Sequence, residues 1–126
     1  SINSRAFYNS LNVDYLKLAS SFGGGMGRMR EVCGAVSGML MAFGCVSGYS
    51  NLTDSDTKTA HYKAVHELML AFEKEMGSYN CKQLLGITDF VYSPIAKPRT
   101  PDFYETRPCL KCVMTAADIL DGYLKK

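Results

Sequence analysis

The chain has 126 residues, of which 47% are hydrophobic and 21% are charged. This composition is typical of an ordinary globular protein, and we predict that residues 1–126 form one domain around a single core. The net charge is only +2 and the basic residues are scattered, which excludes the concentrated basic face of a nucleic-acid-binding protein. The most apolar run, residues 32–46, contains three glycines and a serine. It is too short to cross a bilayer, so we expect no membrane insertion.

The chain contains five cysteines: Cys33, Cys45, Cys81, Cys109 and Cys112. Five is too few for a small secreted domain held together by disulfides, and an odd number leaves at least one thiol unpaired. No positively charged segment followed by an apolar segment opens the chain, as it does in a signal peptide. We therefore predict a reducing, cytoplasmic location in which some of these thiols are functional.

The first third of the chain predicts three helices and a glycine-rich loop. Residues 2–12 and 14–22 are predicted to be short helices, the second capped by Asp14 and apolar at Leu16, Leu18 and Phe22. The loop at residues 23–27, GGGMG, permits backbone angles that are closed to other residues. A third helix is predicted over residues 28–47.

Two interpretations of this glycine-rich stretch are open. The loop could bind an anion, because Arg28 and Arg30 are predicted to lie at the start of the following helix. It is neither a Walker A loop nor a dinucleotide-binding GxGxxG motif, so a tight corner against another helix is favoured. Small residues at Gly34, Gly38 and Ala42 also recur every four residues. This stripe predicts close approach of a partner helix, either within the monomer or across a homodimer.

The rest of the chain predicts mainly helix. An amphipathic helix over residues 56–76 begins after an N-cap at Asp54 or Ser55 and ends at Gly77. A short helix follows at residues 81–85, and only residues 87–92 could form a strand. Residues 93–108 hold all four prolines and predict an ordered strap. The last helix runs from residue 108 to about 124, with a buried side made of Val113, Ala116, Ala117, Leu120 and Leu124. The predicted fold is an all-α, compact single-domain helical bundle with a proline-rich strap before the last helix.

The motif Cys109-Leu-Lys-Cys112 is predicted to open the last helix, directly after Pro108. Two thiols three positions apart lie on one turn, where they can form a disulfide or bind one metal ion. The helix N-terminus and Lys111 both favour negative charge at Cys109. The alternative is that both are simply small side chains with no chemical role.

A metal centre is a further hypothesis. A structural zinc site normally needs a second CxxC or two histidines at ligand spacing, and His61 and His66 are five residues apart, on different helix faces. The thiolates of Cys33, Cys81 and Cys109 could instead hold an iron–sulfur centre or another metal, with Cys45 or Cys112 as the fourth ligand.

Three segments together resemble one known family. The stretch FGGGMGRMREVCGAVSG is similar to the signature of the C_GCAxxG_C_C proteins, which are described as redox-active and named for their motif. The segment YNCKQLLG, which contains Cys81, resembles the third cysteine segment of that family. Cys109 with VMTAADIL resembles its last cysteine and closing helix. The resemblance covers the chain from about residue 14 to its end.

The resemblance implies a small α-helical protein with four characteristic cysteines that are redox-active or hold a metal centre. A related domain occurs in cytochromes of the split-Soret type, which favours electron transfer or iron–sulfur binding by analogy. It also implies that Gly34 and Gly38, after Cys33, clear space for a neighbouring helix or a bound centre. One departure is evident: the family has an Asn-Cys pair on its opening helix, whereas this chain has Asn3-Ser4. If Ser4 replaces that cysteine, a four-cysteine centre either loses a ligand or must recruit Cys112 or Cys45. The alternative is that the cysteine is lost by truncation of the natural N-terminus.

The sequence therefore supports three hypotheses about function. The first is a cytoplasmic redox protein that uses Cys33, Cys81 and Cys109 in thiol–disulfide exchange with a redox partner. Cys109 would be the attacking thiolate and Cys112 a resolving thiol. The second is a module that binds a metal or an iron–sulfur centre through cysteine and transfers electrons. The third is a structural or interaction protein with buried thiols, and the sequence does not decide whether the protein is an enzyme.

Overall fold

The computed structural model describes residues 14–87, 93–96 and 107–125. In this part of the chain all regular elements are helical, apart from one isolated β-bridge between Val32 and Asn80. The helices are α1 (Tyr15–Ala19), α2 (Gly34–Ser47), α3 (Ser55–Met76), α4 (Cys81–Leu84) and α5 (Cys109–Leu124), and a 3₁₀ turn (Ser20–Phe22) follows α1. The prediction of an all-α fold is confirmed. The predicted helix over residues 2–12, residues 88–92 of the predicted strand and most of the proline-rich strap fall outside the described residues.

The core lies between α2, α3 and α5, because α5 packs against both of the other long helices. Each helix contributes buried residues three or four positions apart, which lie on one face. From α2 these are Val36, Met39 and Phe43; from α3 they are Ala64, Leu68 and Phe72; and from α5 they are Cys112 and Ala116. Burying each of the larger apolar side chains contributes about 1.5–3 kcal/mol.

Local sequence signals set the ends of α3. The Asp54 side chain accepts a hydrogen bond from the Thr57 amide at 3.1 Å, so Asp54 is the N-cap as predicted. At the other end Gly77 has φ +89°, the left-handed conformation that commonly terminates a helix. Asp14 caps α1 in the same manner, through the Lys17 amide.

The predicted start of α2 is wrong. The sequence predicts a helix from residue 28, but α2 begins at Gly34 and Cys33 is its N-cap. Arg28 and Arg30 have φ values of +66° and +60°, which a right-handed helix does not allow. The two arginines therefore do not lie on a helix, and an anion site at a helix start carrying them is excluded.

The predictions of the buried faces of α1 and α5 are also only partly correct. Leu16 and Leu18 on α1 are exposed, and so are Val113 and Ala117 on α5. The α5 face that packs on the core is rotated, so that Cys112 rather than Val113 is buried beside Ala116. Leu120 and Leu124 pack against the core as predicted.

The glycine loop, residues 23–30, contains a run of left-handed backbone conformations. Gly24, Gly25, Met26, Gly27 and Arg28 all have φ between +64° and +73°. Consecutive left-handed residues are costly except at glycine, so the loop is sustained by contacts elsewhere in the fold. Amides of residues 30 and 31 close it by donating to the carbonyl oxygens of residues 24 and 25, at 3.3 and 2.9 Å.

Gly25 is the position where this loop tolerates a side chain least. A Cβ atom at Gly25 would lie 2.6 Å from Cys81 Cβ and 2.9 Å from the Glu31 amide nitrogen, and φ there is +73°. We expect Gly25→Ala to lower the free energy of unfolding by about 2–4 kcal/mol, through left-handed strain and overlap with the backbone. Urea unfolding of the two proteins measures this difference.

Gly38→Ala is the matched control for that experiment. Gly38 is an exposed residue inside α2, and no described atom outside the neighbouring backbone of that helix lies within 4 Å of its Cβ position. Alanine there should leave stability unchanged or raise it by about 0.5–1 kcal/mol. Equal losses in both variants would contradict the close packing assigned to Gly25.

Candidate functional site

A short backbone pairing brings Cys33 and Cys81 to the same place. Val32 and Asn80 form an antiparallel bridge, flanked by two hydrogen bonds. The Cys33 amide donates to the Tyr79 carbonyl at 2.8 Å, and the Cys81 amide donates to the Glu31 carbonyl at 2.6 Å. Because side chains alternate along paired strands, Cys33 and Cys81 lie on the same side of this pairing.

Both cysteines stand where a helix begins. Cys33 is the N-cap of α2, and Cys81 is the first residue of α4, after the N-cap Asn80. The Asn80 side chain accepts from the Gln83 amide at 3.1 Å, which fixes the start of α4. The pairing and the caps together hold two buried thiols in defined positions.

The glycine loop covers Cys81. Gly25 approaches the Cys81 side chain so closely that only glycine fits. From the end of the same loop, Arg30 is buried and its Nη1 donates a long hydrogen bond of 3.7 Å to Cys81 Sγ. The loop therefore brings a positive charge to a buried thiol.

Two further cysteines, Cys109 and Cys112, lie on α5. Cys109 is its first residue and is partly exposed, whereas Cys112 is one turn later and only 2% exposed. The Cys112 amide donates to the Pro108 carbonyl at 2.9 Å, which closes the first turn. The predicted location of the CxxC motif at the start of the last helix is confirmed, and its two thiols differ sharply in exposure.

The four thiols Cys33, Cys81, Cys109 and Cys112 form one group, here called the cysteine cluster. Cys33, Cys81 and Cys109 all act electrostatically on Cys112, and Cys33 and Cys109 act on Cys81. Cys33 also contributes to raising the pKa of Cys112 through a side-chain interaction. These are the four cysteines that the sequence analysis selects, and three separate segments supply them.

Burial dominates the acidity of two cluster thiols. Burial, with further contributions from Cys33, raises the pKa of Cys112 from 9.0 to about 12. Burial likewise raises the pKa of Cys81, and the Arg30 guanidinium opposes that shift. Both thiols are thus held mainly in the neutral form, and Cys81 alone of the two has a cation that can stabilise its thiolate.

Cys45 and the two histidines lie outside the cluster. Cys45 is exposed near the end of α2, twelve residues and therefore about 18 Å along the helix from Cys33. His61 stacks on Phe43 with a ring separation of 5.1 Å, and its Nδ1 lies 3.3 Å from the Ser47 carbonyl oxygen. His66 is exposed. This geometry does not support a role for His61 or His66 as a metal ligand.

The two glycines after Cys33 differ in their surroundings. A Cβ at Gly34 would lie 3.2 Å from the Phe22 carbonyl oxygen, so Gly34 permits the 3₁₀ turn to approach the start of α2. Gly38 contacts no described residue at its Cβ position. The close approach in this region is therefore between Gly34 and a turn. Within the described residues, no helix packs closely on the stripe at Gly38.

The four thiols of the cysteine cluster are suitable metal ligands by their chemistry. Their positions in the structure, however, are not those of a metal site. Thiolates are the ligands that zinc and iron–sulfur centres prefer. Across residues 14–87, 93–96 and 107–125, however, no three cysteine, histidine or carboxylate side chains are arranged to hold a metal ion. The same ranges contain no helix of the length and apolarity needed to cross a membrane.

Arg30 is a site residue whose place beside Cys81 does not follow from the sequence pattern. The stretch MGRMRE is predicted to open a helix that carries Arg28 and Arg30, and nothing in it signals a left-handed conformation at either arginine. A weak sequence signal exists, since four glycines within residues 23–27 indicate a backbone that packs closely against something. The partner, Cys81, is 51 positions away.

The raised pKa of Cys112 predicts a specific loss of stability in alkali. The folded chain keeps this proton up to about pH 12, whereas the unfolded chain loses it near 9.0. The unfolded state therefore binds fewer protons above pH 9, and the contribution that is complete below pH 9 declines as the pH rises towards 12. Between pH 8.5 and 10 the free energy of unfolding should fall by about 1 kcal/mol from this group alone.

Urea unfolding at both pH values in three proteins isolates the effect. Cys112→Ala should lose about 1 kcal/mol less over this interval than the wild type, since other groups titrate equally in both proteins. Cys45→Ala, which removes an exposed thiol, should decline like the wild type. An identical decline in wild type and Cys112→Ala would contradict the assigned burial of this thiol.

Comparison with known proteins supplies one match. A family model described as "Putative redox-active protein (C_GCAxxG_C_C)" matches residues 4–123 of the chain. No match is found among curated proteins or among solved structures. The matched range includes the glycine loop, the backbone pairing and all four cluster cysteines. The chain therefore belongs to the C_GCAxxG_C_C family.

Proposed function

We propose that the protein performs thiol–disulfide exchange through the cysteine cluster. The observation that carries this proposal is the convergence of four free thiols, one partly exposed and three buried. An exposed thiol can meet an external disulfide, and a buried neighbour can then complete the exchange without competition from solvent. Membership of a redox-active family supports a redox role in general.

Cys109 is the thiol that meets the partner in this proposal. It is the only member of the cluster that is not buried, and a helix N-terminus stabilises negative charge on its attacking sulfur. Cys109 attacks a disulfide of the partner, forms a mixed disulfide and releases one partner thiolate. A second cluster cysteine then attacks Cys109, closes an internal disulfide and releases the second partner thiolate. Two electrons pass to the partner, whose thiolates take up the two protons.

A reducing compartment such as the cytoplasm suits this chemistry. All five cysteines are free thiols in the structure, and the cycle needs the cluster to start reduced. The redox partner in this proposal is a protein or small molecule that carries a disulfide.

Metal or iron–sulfur binding is a second candidate, and the number of converging thiols favours it. A dithiol cycle needs two cysteines, whereas the cluster has four, which is the usual ligand number of zinc and iron–sulfur sites. Cys112 completes a set with Cys33, Cys81 and Cys109, so Cys45 is not needed as a fourth ligand. The side chains would have to move closer together, because they are not arranged around one ion.

Substitution of Cys109 tests the proposed function. Reduced protein is mixed with oxidised glutathione, and the free thiols of the four cluster cysteines are counted over time by mass spectrometry of alkylated peptides, which separates them from the exposed Cys45. The wild type should lose two thiols reversibly, and Cys109→Ser should slow that loss at least about tenfold because the other cluster thiols are buried. Cys45→Ser should behave like the wild type at the cluster, since Cys45 lies on a different part of the surface. Equal rates in all three proteins would contradict the role of Cys109.

Anaerobic purification separates the two candidates. We expect no stoichiometric iron or zinc and a pair of thiols that oxidises reversibly. Stoichiometric metal, visible absorbance and four thiols protected from alkylation would replace thiol exchange with metal binding. Slow alkylation without metal or disulfide would leave the thiols as structural residues and refute both functions.

A further inference from the structure

The outward side of α5 carries an apolar face that the described residues leave largely uncovered. Leu110, Val113 and Met114 are 56%, 55% and 60% exposed, and Ala117 is exposed as well. Positions that follow the first by three, four and seven residues lie on one side of a helix. This side, here called the α5 outer face, points away from Cys112, which α5 buries in the core.

Charged residues border the α5 outer face but do not interrupt it. Lys111 and Asp118 are exposed along one edge. Asp121 lies on the following turn, where its carboxylate pairs with the Lys125 ammonium at 2.9 Å and ends the apolar stretch. Large apolar side chains that are grouped within a polar border are characteristic of a surface that contacts another protein.

The α5 outer face begins beside Cys109, the one cluster thiol that is not buried. On the next turn of α5 the neighbours of Cys109 are Cys112, which is buried, and Val113, which is exposed. Residues four apart on a helix have Cβ atoms about 5–6 Å from each other. Two cysteines joined by a disulfide have Cα atoms about 4.4–6.8 Å apart. A protein chain bonded to Cys109 therefore comes within contact distance of Val113.

We propose that the α5 outer face is the docking surface for the redox partner, and that this partner is a protein with apolar side chains on either side of its disulfide. This inference rests on the proposed function and names the class of its partner. Apolar side chains of the partner would be buried on Leu110, Val113 and Met114 while its disulfide meets Cys109. Oxidised glutathione has no apolar side chain to bury there, so this face distinguishes a protein disulfide from a small polar one.

The size of the α5 outer face suits a brief encounter. Each partner in a stable protein–protein interface contributes about 800 Å². Three large side chains, each little more than half exposed, and one alanine fall well short of that area, so this face alone does not hold a permanent second copy of the chain. Thiol–disulfide exchange needs a brief contact, because the partner arrives with a disulfide, takes up two electrons and two protons, and leaves as a dithiol.

Two synthetic cyclic peptides, each closed by one disulfide, test this docking surface. One has leucine beside both cysteines, and the other has serine at the same positions. Loss of the Cys109 thiol is followed by mass spectrometry of alkylated protein fragments, and the two initial rates are expressed as a ratio. The wild type should react at least about tenfold faster with the leucine peptide, because burial of its leucine side chains stabilises the encounter. Val113→Ser/Met114→Ser should lower this ratio to about one.

Leu70→Ser is the matched control, because Leu70 is 58% exposed on α3 and the same kind of apolar group is removed there. This variant should keep the wild-type ratio. A ratio of about one in the wild type, or an equal fall in Leu70→Ser, would overturn the docking surface and leave thiol–disulfide exchange intact. A wild-type dimer that dissociates in Val113→Ser/Met114→Ser, detected by sedimentation, would assign the face to a second copy and also overturn it. If Cys109 reacts with neither peptide nor with oxidised glutathione, the proposed function itself fails.

Discussion

The candidate site depends on three backbone hydrogen bonds between two segments far apart in sequence. They join residues 30–33 to residues 79–82, with lengths of 2.6, 2.8 and 3.2 Å. This pairing places Cys33 at the start of α2 and Cys81 at the start of α4, and it holds the end of the glycine loop over Cys81. Without it, the three helices of the core could still pack, but two of the four thiols and the buried arginine would have no fixed positions.

The core and the site follow different physical rules. The faces of α2, α3 and α5 are stabilised by apolar burial, which does not require an exact geometry of each contact. The cysteine cluster buries thiols and a guanidinium, where each polar group needs a particular partner. Burial raises the pKa of Cys81 and Cys112 and would leave both inert, so the approach of Arg30 to Cys81 is what distinguishes them. A neighbouring cation distinguishes a buried thiol that can ionise from one that is only a small core side chain.

Much of the fold follows from local sequence signals, whereas the site follows only in part. Asp54 and Gly77 bound α3 through capping rules that involve neighbouring residues. The positions of Cys109 and Cys112 follow from Pro108 in the same way. The stretch before Cys33 could not be predicted, because the left-handed conformation of Arg30 is accompanied by contacts with Cys81 and Lys82, about 50 positions away. Family resemblance selects Cys33 and Cys81, but only the structure shows which thiol has the cation.

The pairing between residues 31–33 and 79–81 also has a consequence for how the chain is made. It encloses α2 and α3, so a nascent chain can form the pairing before α5 has left the ribosome. At that stage Cys33 and Cys81 are held in the pairing, while Cys109 and Cys112 are still inside the ribosome. A premature disulfide between Cys33 and Cys81 would consume both thiols before α5 packs on the core. Synthesis in a reducing environment would therefore keep both thiols free until α5 is in place.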